Sequence, residues 1–285
     1  MSAREKGHAQ PAVTKIFRLG LLQAKVELTN RFTRWTALAY LVAPLILFAV
    51  FSFLDLDIVG GDEGARRIIA GFAAASLFVT GFVGITSELV TEQEDGSVLR
   101  AKTIPHGLTA YLVGKIISLS ATSLLTVLLT LVAAQLALGA VLPTSLAAWL
   151  ALVGLALLTL AATAPLGASL GSLARSPIAI LPISLVAYGL MFVSGIFFPL
   201  SLMPEWVGGI VKMFPLYWLG LDSRVILLPA EQFAGPLDAA LGIIVPLAWA
   251  IGGAFLAPLA LGAMSRRQSG ARLQEVQERR ASRGY

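Results

Sequence analysis

The chain has 285 residues, of which 57% are hydrophobic and 13% charged, with no cysteine and two histidines. A soluble domain carries roughly 25% charged residues, so this composition belongs to a lipid-facing chain and excludes a disulfide framework, a thiolate metal site and a histidine-rich metal site. The formal net charge of +5 does not point to nucleic acid, because the charges flank apolar blocks instead of forming one patch.

Residues 1–34 are basic and mixed. Val13, Phe17, Leu21, Ala24, Leu28 and Phe32 recur at three- and four-residue steps, the spacing of one helical face. Lys15, Arg18 and Lys25 group beside that face. The pattern favours an amphipathic helix lying in the headgroup layer over one packed on the rest of the chain, although Leu19, Leu22 and Val26 interrupt its polar side. The first apolar block comes too late for a signal peptide.

Six apolar blocks follow, near Trp35–Leu54, Ile68–Leu89, Leu108–Leu138, Ser145–Leu173, Pro177–Phe198 and Leu237–Met264. A spanning helix needs about 20 apolar residues, and each block meets the minimum. The expected fold is an all-α membrane protein with six transmembrane helices over 35–264 and a basic cytoplasmic tail over 265–285. If the helices alternate, Arg100, Lys102, Arg175, Arg266 and Arg267 share one side with the basic N-terminal segment. Asp55, Asp57, Asp62, Glu63, Glu231 and Asp238 fall on the other, with few cations. Both termini are therefore expected in the cytoplasm. The five tryptophans, Trp35, Trp149, Trp206, Trp218 and Trp249, read as interface anchors. Pro165 and Pro182 interrupt blocks four and five as possible kinks.

Several chemistries are missing. The string GLTAYLVGKI has six residues between its glycines and Ile116 where a phosphate cradle needs a hydroxyl, so it is no ATP site. The middle of every block lacks Asp and Glu, which argues against ion coupling. Lys115 lies about two turns into the third block, within reach of the surface by snorkelling. No nucleophile–base pair or metalloprotease motif appears. Serines and threonines in the blocks are expected to bond backbone carbonyls.

What remains is a bundle moved from outside, through a cytoplasmic handle. The best candidate is ELVTEQEDGSVLRAKTIPHG, residues 88–107. Glu88, Glu92, Glu94 and Asp95 precede Gly96, a reversal point. Ser97 can cap a short helix carrying Val98, Leu99, Arg100 and Ala101, which Pro105 closes. Apolar residues between charges suit the groove of a soluble partner.

This loop resembles the coupling loop (here 88–106) of ABC-2 type permeases, the membrane subunits of ABC exporters. A second element, Ser194–Gly195–Ile196–Phe197–Phe198–Pro199, then Met203–Pro204–Glu205–Trp206 and Phe214–Pro215–Leu216, is similar to that family's stretch after the fifth helix. Within the family the chain looks most like the B subunits of daunorubicin-resistance-type drug exporters, of bacterial inner (plasma) membranes. The resemblance implies a re-entrant helical hairpin between helices five and six, in an extracellular region 199–236, with Phe197, Phe198, Pro199, Pro204, Glu205, Trp206 and Pro215 forming an outer gate. Gly208 and Gly209 would permit close packing there. It implies pairing with a second permease copy, as homodimer or heterodimer, and docking on an ABC ATPase that holds ATP and magnesium; no cofactor is expected in this chain, and no enzymatic activity of its own. A pathway at the pair's interface would be lined by Phe72, Phe78, Thr80, Phe82, Met191, Phe192 and Ser194, though aromatics at helical spacing are more often packing residues in the core or against lipid. So little charge suits export of an amphiphilic or hydrophobic cargo, whether drug, lipid or peptide. Export of a polysaccharide or glycolipid, and a non-transporting scaffold or sensor, are the alternatives.

Overall fold

A computed structural model describes residues 12–33, 61–94, 104, 107–139, 142–174, 176–200, 203–228 and 231–282. The expected first span, 35–54, lies outside the described residues. Every regular element among those described is helical. In chain order these are α1 (Ala12–Thr33), α2 (Gly61–Val79), a π-helical turn (Thr80–Gly84), α3 (Ile85–Glu94), α4 (Gly107–Leu138), α5 (Leu146–Leu173), a 3-10 turn (Pro177–Ala179), α6 (Ile180–Val193), α7 (Glu205–Val211), α8 (Pro215–Leu227) and α9 (Pro236–Ser282).

The α2–π–α3 run, α4, α5 and the first part of α9 are long and apolar enough to cross a membrane, over Gly61–Gln93, Thr109–Leu136, Leu146–Leu173 and Pro236–Met264. α6 is shorter, at 14 residues. It begins directly after the 3-10 turn, and Pro182 falls in its first turn. Pro165, by contrast, lies inside α5.

Local chemistry sets the ends. Ser145 caps α5 by accepting from Ala148 N at 3.1 Å. Gly139 ends α4 with φ +65°, and its N–H donates to Gln135 O at 3.1 Å. The hydroxyls of Thr122, Thr126, Thr130, Thr159 and Thr163 each donate to the carbonyl four residues earlier, as expected of buried hydroxyls in apolar helices.

The bundle has two distinguishable ends. At one, Arg66 Nη2 donates to Leu138 O at 2.7 Å, tying the start of α2 to the end of α4. At the other, Gln93 Nε2 donates to Gly171 O at 2.7 Å, and Arg267 Nη2 to Ser172 O at 2.9 Å, tying α3 and α9 to the end of α5. The first is called the hairpin end below, the second the loop end. The α2–π–α3 run, α4 and α5 therefore alternate in direction, and α9 runs parallel to α5.

Small residues set the spacing between helices. A Cβ added to Gly167 would lie 2.5 Å from Gly81 O, and one on Gly171 2.9 Å from Thr86 O. These two glycines, four apart, let the α2–π–α3 run approach α5 backbone to backbone. Thr86 Oγ1 donates across this contact to Gly167 O at 3.0 Å. α5 meets α9 in the same manner, with Gly253 against Pro165.

Candidate functional site

α1 does not lie apart from the bundle. It runs alongside α4: a Cβ on Gly20 would clash with Val113, and one on Gly114 would lie 2.7 Å from Gly20 O. Ala24 is buried on that side, while Phe17, Leu21, Leu22 and Val26 are exposed. The contact face is therefore the one carrying glycine and alanine, not the one carrying the largest apolar side chains, because only small residues allow the helices to come so close. α1 is thus packed on the rest of the chain, the alternative that the sequence pattern leaves open.

The contact also carries charge. Lys115 on α4 is only 3% exposed. Its Nζ lies 3.0 Å from Glu88 Oε2, 3.6 Å from Glu27 Oε1, and in contact with Glu92 Oε1. Ser118 Oγ donates to Glu27 Oε2 at 2.9 Å, and Gln23 Nε2 donates to Glu27 Oε1 at 3.1 Å. The Lys115 ammonium also sits 5.5 Å from the centre of the Tyr111 ring. Snorkelling is thus not what Lys115 does. Three carboxylates from two other helices surround it, which removes the need to reach water. Beside it, Leu89 and Tyr111 pack on Leu261 and Met264 of α9. Four elements, α1, α3, α4 and α9, meet around this one cation.

Of the loop residues singled out from sequence, Glu88 and Glu92 therefore belong to a helix and turn inward. Glu94 is the last residue of α3. Asp95, Gly96, Ser97, Leu99, Arg100 and Pro105 lie outside the described residues. Gly107 N donates to Ile104 O at 2.8 Å at the entrance to α4.

At the hairpin end, Gly195 takes φ +79°, a left-handed conformation that glycine adopts freely, and reverses the chain after α6. α7 starts at Glu205 behind Pro204, and α8 starts at Pro215. α8 then runs antiparallel beside α2. Leu216 packs with Ala75 and Phe78, Leu219 with Ala74, and Ser223 Oγ donates to Ala70 O at 2.6 Å. The turn between α7 and α8 therefore sits near the level of Ala75, about 20 Å along the helix from Gly61.

Breaking the chain there frees carbonyls, and two indoles cover them. Trp218 Nε1 donates to Lys212 O at 2.7 Å, and Trp249 Nε1 of α9 to Met213 O at 3.0 Å. Trp249 also stacks on Phe214 with ring centres 5.5 Å apart. Trp218, at 2% exposed, is no interface anchor. Both rings serve the backbone instead. Trp206, by contrast, is 69% exposed. A Cβ on Gly208 or Gly209 would meet nothing within 4 Å, so the close packing expected there does not occur within the chain.

The pathway candidates divide. Phe78 and Met191 are buried together with Leu216 and Ile196, and Phe82 stacks on Phe78 at 5.6 Å. Phe72 is half-buried. Phe192 is exposed and stacks on Phe197 at 5.4 Å. Thr80 Oγ1 and Ser194 Oγ donate to Ser76 O and Met191 O, so their hydroxyls serve their own chain segment. Phe198, Pro199, Pro204 and Glu205 are exposed, and Pro215 is buried.

A cavity of about 370 Å³ opens beside the Gly195 turn, between the start of α2 and the C-terminal end of α8. Arg67 there binds Glu231 at 2.7 Å and Glu63 at 3.5 Å. Arg224 Nη1 donates to Gly195 O at 3.1 Å. Elsewhere, Asp222 on α8 presses its carboxylate against Gly242 of α9. α8 is 13 residues long, too short to span a bilayer. Desolvation raises the Asp222 carboxyl from 3.8 to about 7. Among the described residues, no cluster of His, Cys, Asp and Glu fits a metal ion.

Long apolar helices, hydroxyls turned onto their own backbones and a broken helix with covered carbonyls define a multi-pass membrane protein. The profile of the ABC-2 type transporter family matches residues 22–227. The chain belongs to the ABC-2 type transporter family, and is a permease component, not itself a catalyst. A search of curated proteins gave no match.

Proposed function

We propose that the chain is the membrane subunit of an exporter that moves an amphiphilic or hydrophobic substrate outward, driven by ATP hydrolysed in a separate ATPase subunit. The observation that carries this reading is the family match over 22–227. In this reading the chain crosses the membrane six times, with 35–54 as the first span and both termini in the cytoplasm. The loop end faces the ATPase, and residues 95–106 form the docking segment between α3 and α4. Two copies pair, α7 and α8 dip into the outer leaflet, and the route runs between the copies. The covered carbonyls at Lys212 and Met213 support the dipping arrangement, because irregular backbone at membrane depth needs protein partners.

Movement enters at Asp95–Pro105 and passes into α3 and α4 together, since Lys115 clasps Glu88 and Glu92 across them. α1 moves with them through Glu27. The test is to co-purify the chain with an ABC ATPase subunit and measure transport in proteoliposomes. Leu99→Asp places a carboxylate in the apolar patch of the docking segment and is expected to abolish ATP-driven transport while the chain still inserts. Transport unchanged in that variant, or transport by the chain alone, overturns the reading.

A further inference from the structure

We propose that the cavity at the hairpin end binds the oxyanion head of an amphiphile, with Arg224 as its anchor. Its volume, about 370 Å³, lies in the range of small-molecule sites and gives room for a head group. One wall is apolar, built by Ile68, Ile196, Phe197 and Pro199. The other carries Arg67 and Arg224 together with the carboxylates of Glu63 and Glu231, both of which are held on Arg67.

The two arginines are not equivalent. Arg67 has carboxylates on both of its edges, Glu231 Oε1 on Nε and Glu63 Oε1 on Nη2. Arg224 has none within ion-pair distance: Glu231 acts on it only from farther off, and its one bonded partner among the described residues is the neutral carbonyl of Gly195. Its Nε is buried and makes no hydrogen bond. A guanidinium drawn out of water without a bonded anion is costly, and the missing partner is the group its planar fork fits, a phosphate, sulfate or carboxylate. The apolar wall beside it takes the first part of a hydrocarbon chain. A purely apolar ligand would leave Arg224 unsatisfied, and a cationic one would meet it with like charge while the carboxylates of Glu63 and Glu231 are already engaged by Arg67. The head group has two possible sources, the exported cargo and a lipid of the surrounding leaflet, and both offer the same chemistry.

Only the position of the site on the exit route rests on the export reading; binding itself needs neither ATP nor a partner. The test therefore uses the full chain alone, in phosphatidylcholine nanodiscs, titrated with decyl phosphate, decyltrimethylammonium and decyl maltoside. Decyl phosphate is expected to bind at least about tenfold more tightly than either other probe. Arg224→Gln is expected to remove that preference, and Arg224→Lys to keep part of it, since the charge stays and the fork is lost. Glu231→Gln releases Arg67 and is expected to tighten binding. If Arg224→Gln does not fold, the probe series on the unaltered chain and on Glu231→Gln decides. Equal binding of the three probes, or an undiminished phosphate preference in folded Arg224→Gln, overturns the proposal. Repeating the titration in discs containing phosphatidylglycerol separates the sources: lost decyl phosphate binding identifies a resident lipid, and retained binding identifies the cargo. Failure of ATP-driven transport with this binding intact leaves the site standing and overturns export alone.

Discussion

The two ends of the bundle are assembled on opposite plans. At the loop end, helices touch backbone to backbone through Gly20, Gly114, Gly167 and Gly171, and one cation gathers three carboxylates. At the hairpin end, Gly208 and Gly209 face open space, Trp206 is exposed and a cavity remains. A close-packed region transmits displacement because its parts cannot shift independently. A loosely held one can change shape at small cost. The difference suits a subunit that receives a push at one end and opens at the other.

Substitutions of the same kind at the two ends can break that contrast. The largest effect is expected from Lys115→Met, which leaves Glu27, Glu88 and Glu92 facing one another without their cation. Breaking a buried ion pair costs about 3–5 kcal/mol, and the partial exposure of these carboxylates places this variant near the lower figure. A thermal melt of the purified chain reads it. Gly167→Ala forces a methyl against Gly81 O and Phe82 O and is expected to cost about 1–3 kcal/mol in the same melt. Asp222→Asn tests a buried carboxyl without an ion-pair partner among the described residues. Because its folded value is raised from 3.8 to about 7, the native state holds a proton that the unfolded chain releases, so stability falls as pH rises through that window. The Asn variant is expected to match the unaltered chain near pH 4 and to melt higher at pH 8. The smallest effect belongs to Gly208→Ala, where nothing opposes the methyl; helix propensity predicts a gain of up to about 1 kcal/mol. A loss there, or none at Gly167, would erase the distinction between the ends.

Much of the fold was legible in the apolar blocks, because length and hydropathy are local properties. The block at Leu108–Leu138 became α4 (Gly107–Leu138), and that at Ser145–Leu173 became α5 (Leu146–Leu173). The prolines at 204 and 215 marked the starts of α7 and α8 for an equally local reason. The partners of Lys115 were not legible, since Glu27, Glu88 and Glu92 come from distant segments. One signal was available: Glu88 and Glu92, four apart, share a helical face, which needs a cation once that face is covered. The π turn at Thr80–Gly84 gave no such signal; TGFVG reads as ordinary helix, and the turn exists where Gly81 meets Thr163 and Gly167. Arg224 and its cavity arise only when α2, the Gly195 turn and α8 are brought together.

α9 continues 18 residues beyond Met264, the end of its apolar stretch, as one unbroken helix to Ser282. Arg267, pinned to Ser172 O, acts as its bearing just outside the apolar layer. A mast of this kind magnifies angle into distance. Tilting by about 20° about that bearing would carry its far tip, about 22 Å away, through roughly 8 Å. Motion slight at the close-packed helices would thus arrive at the mast's end enlarged.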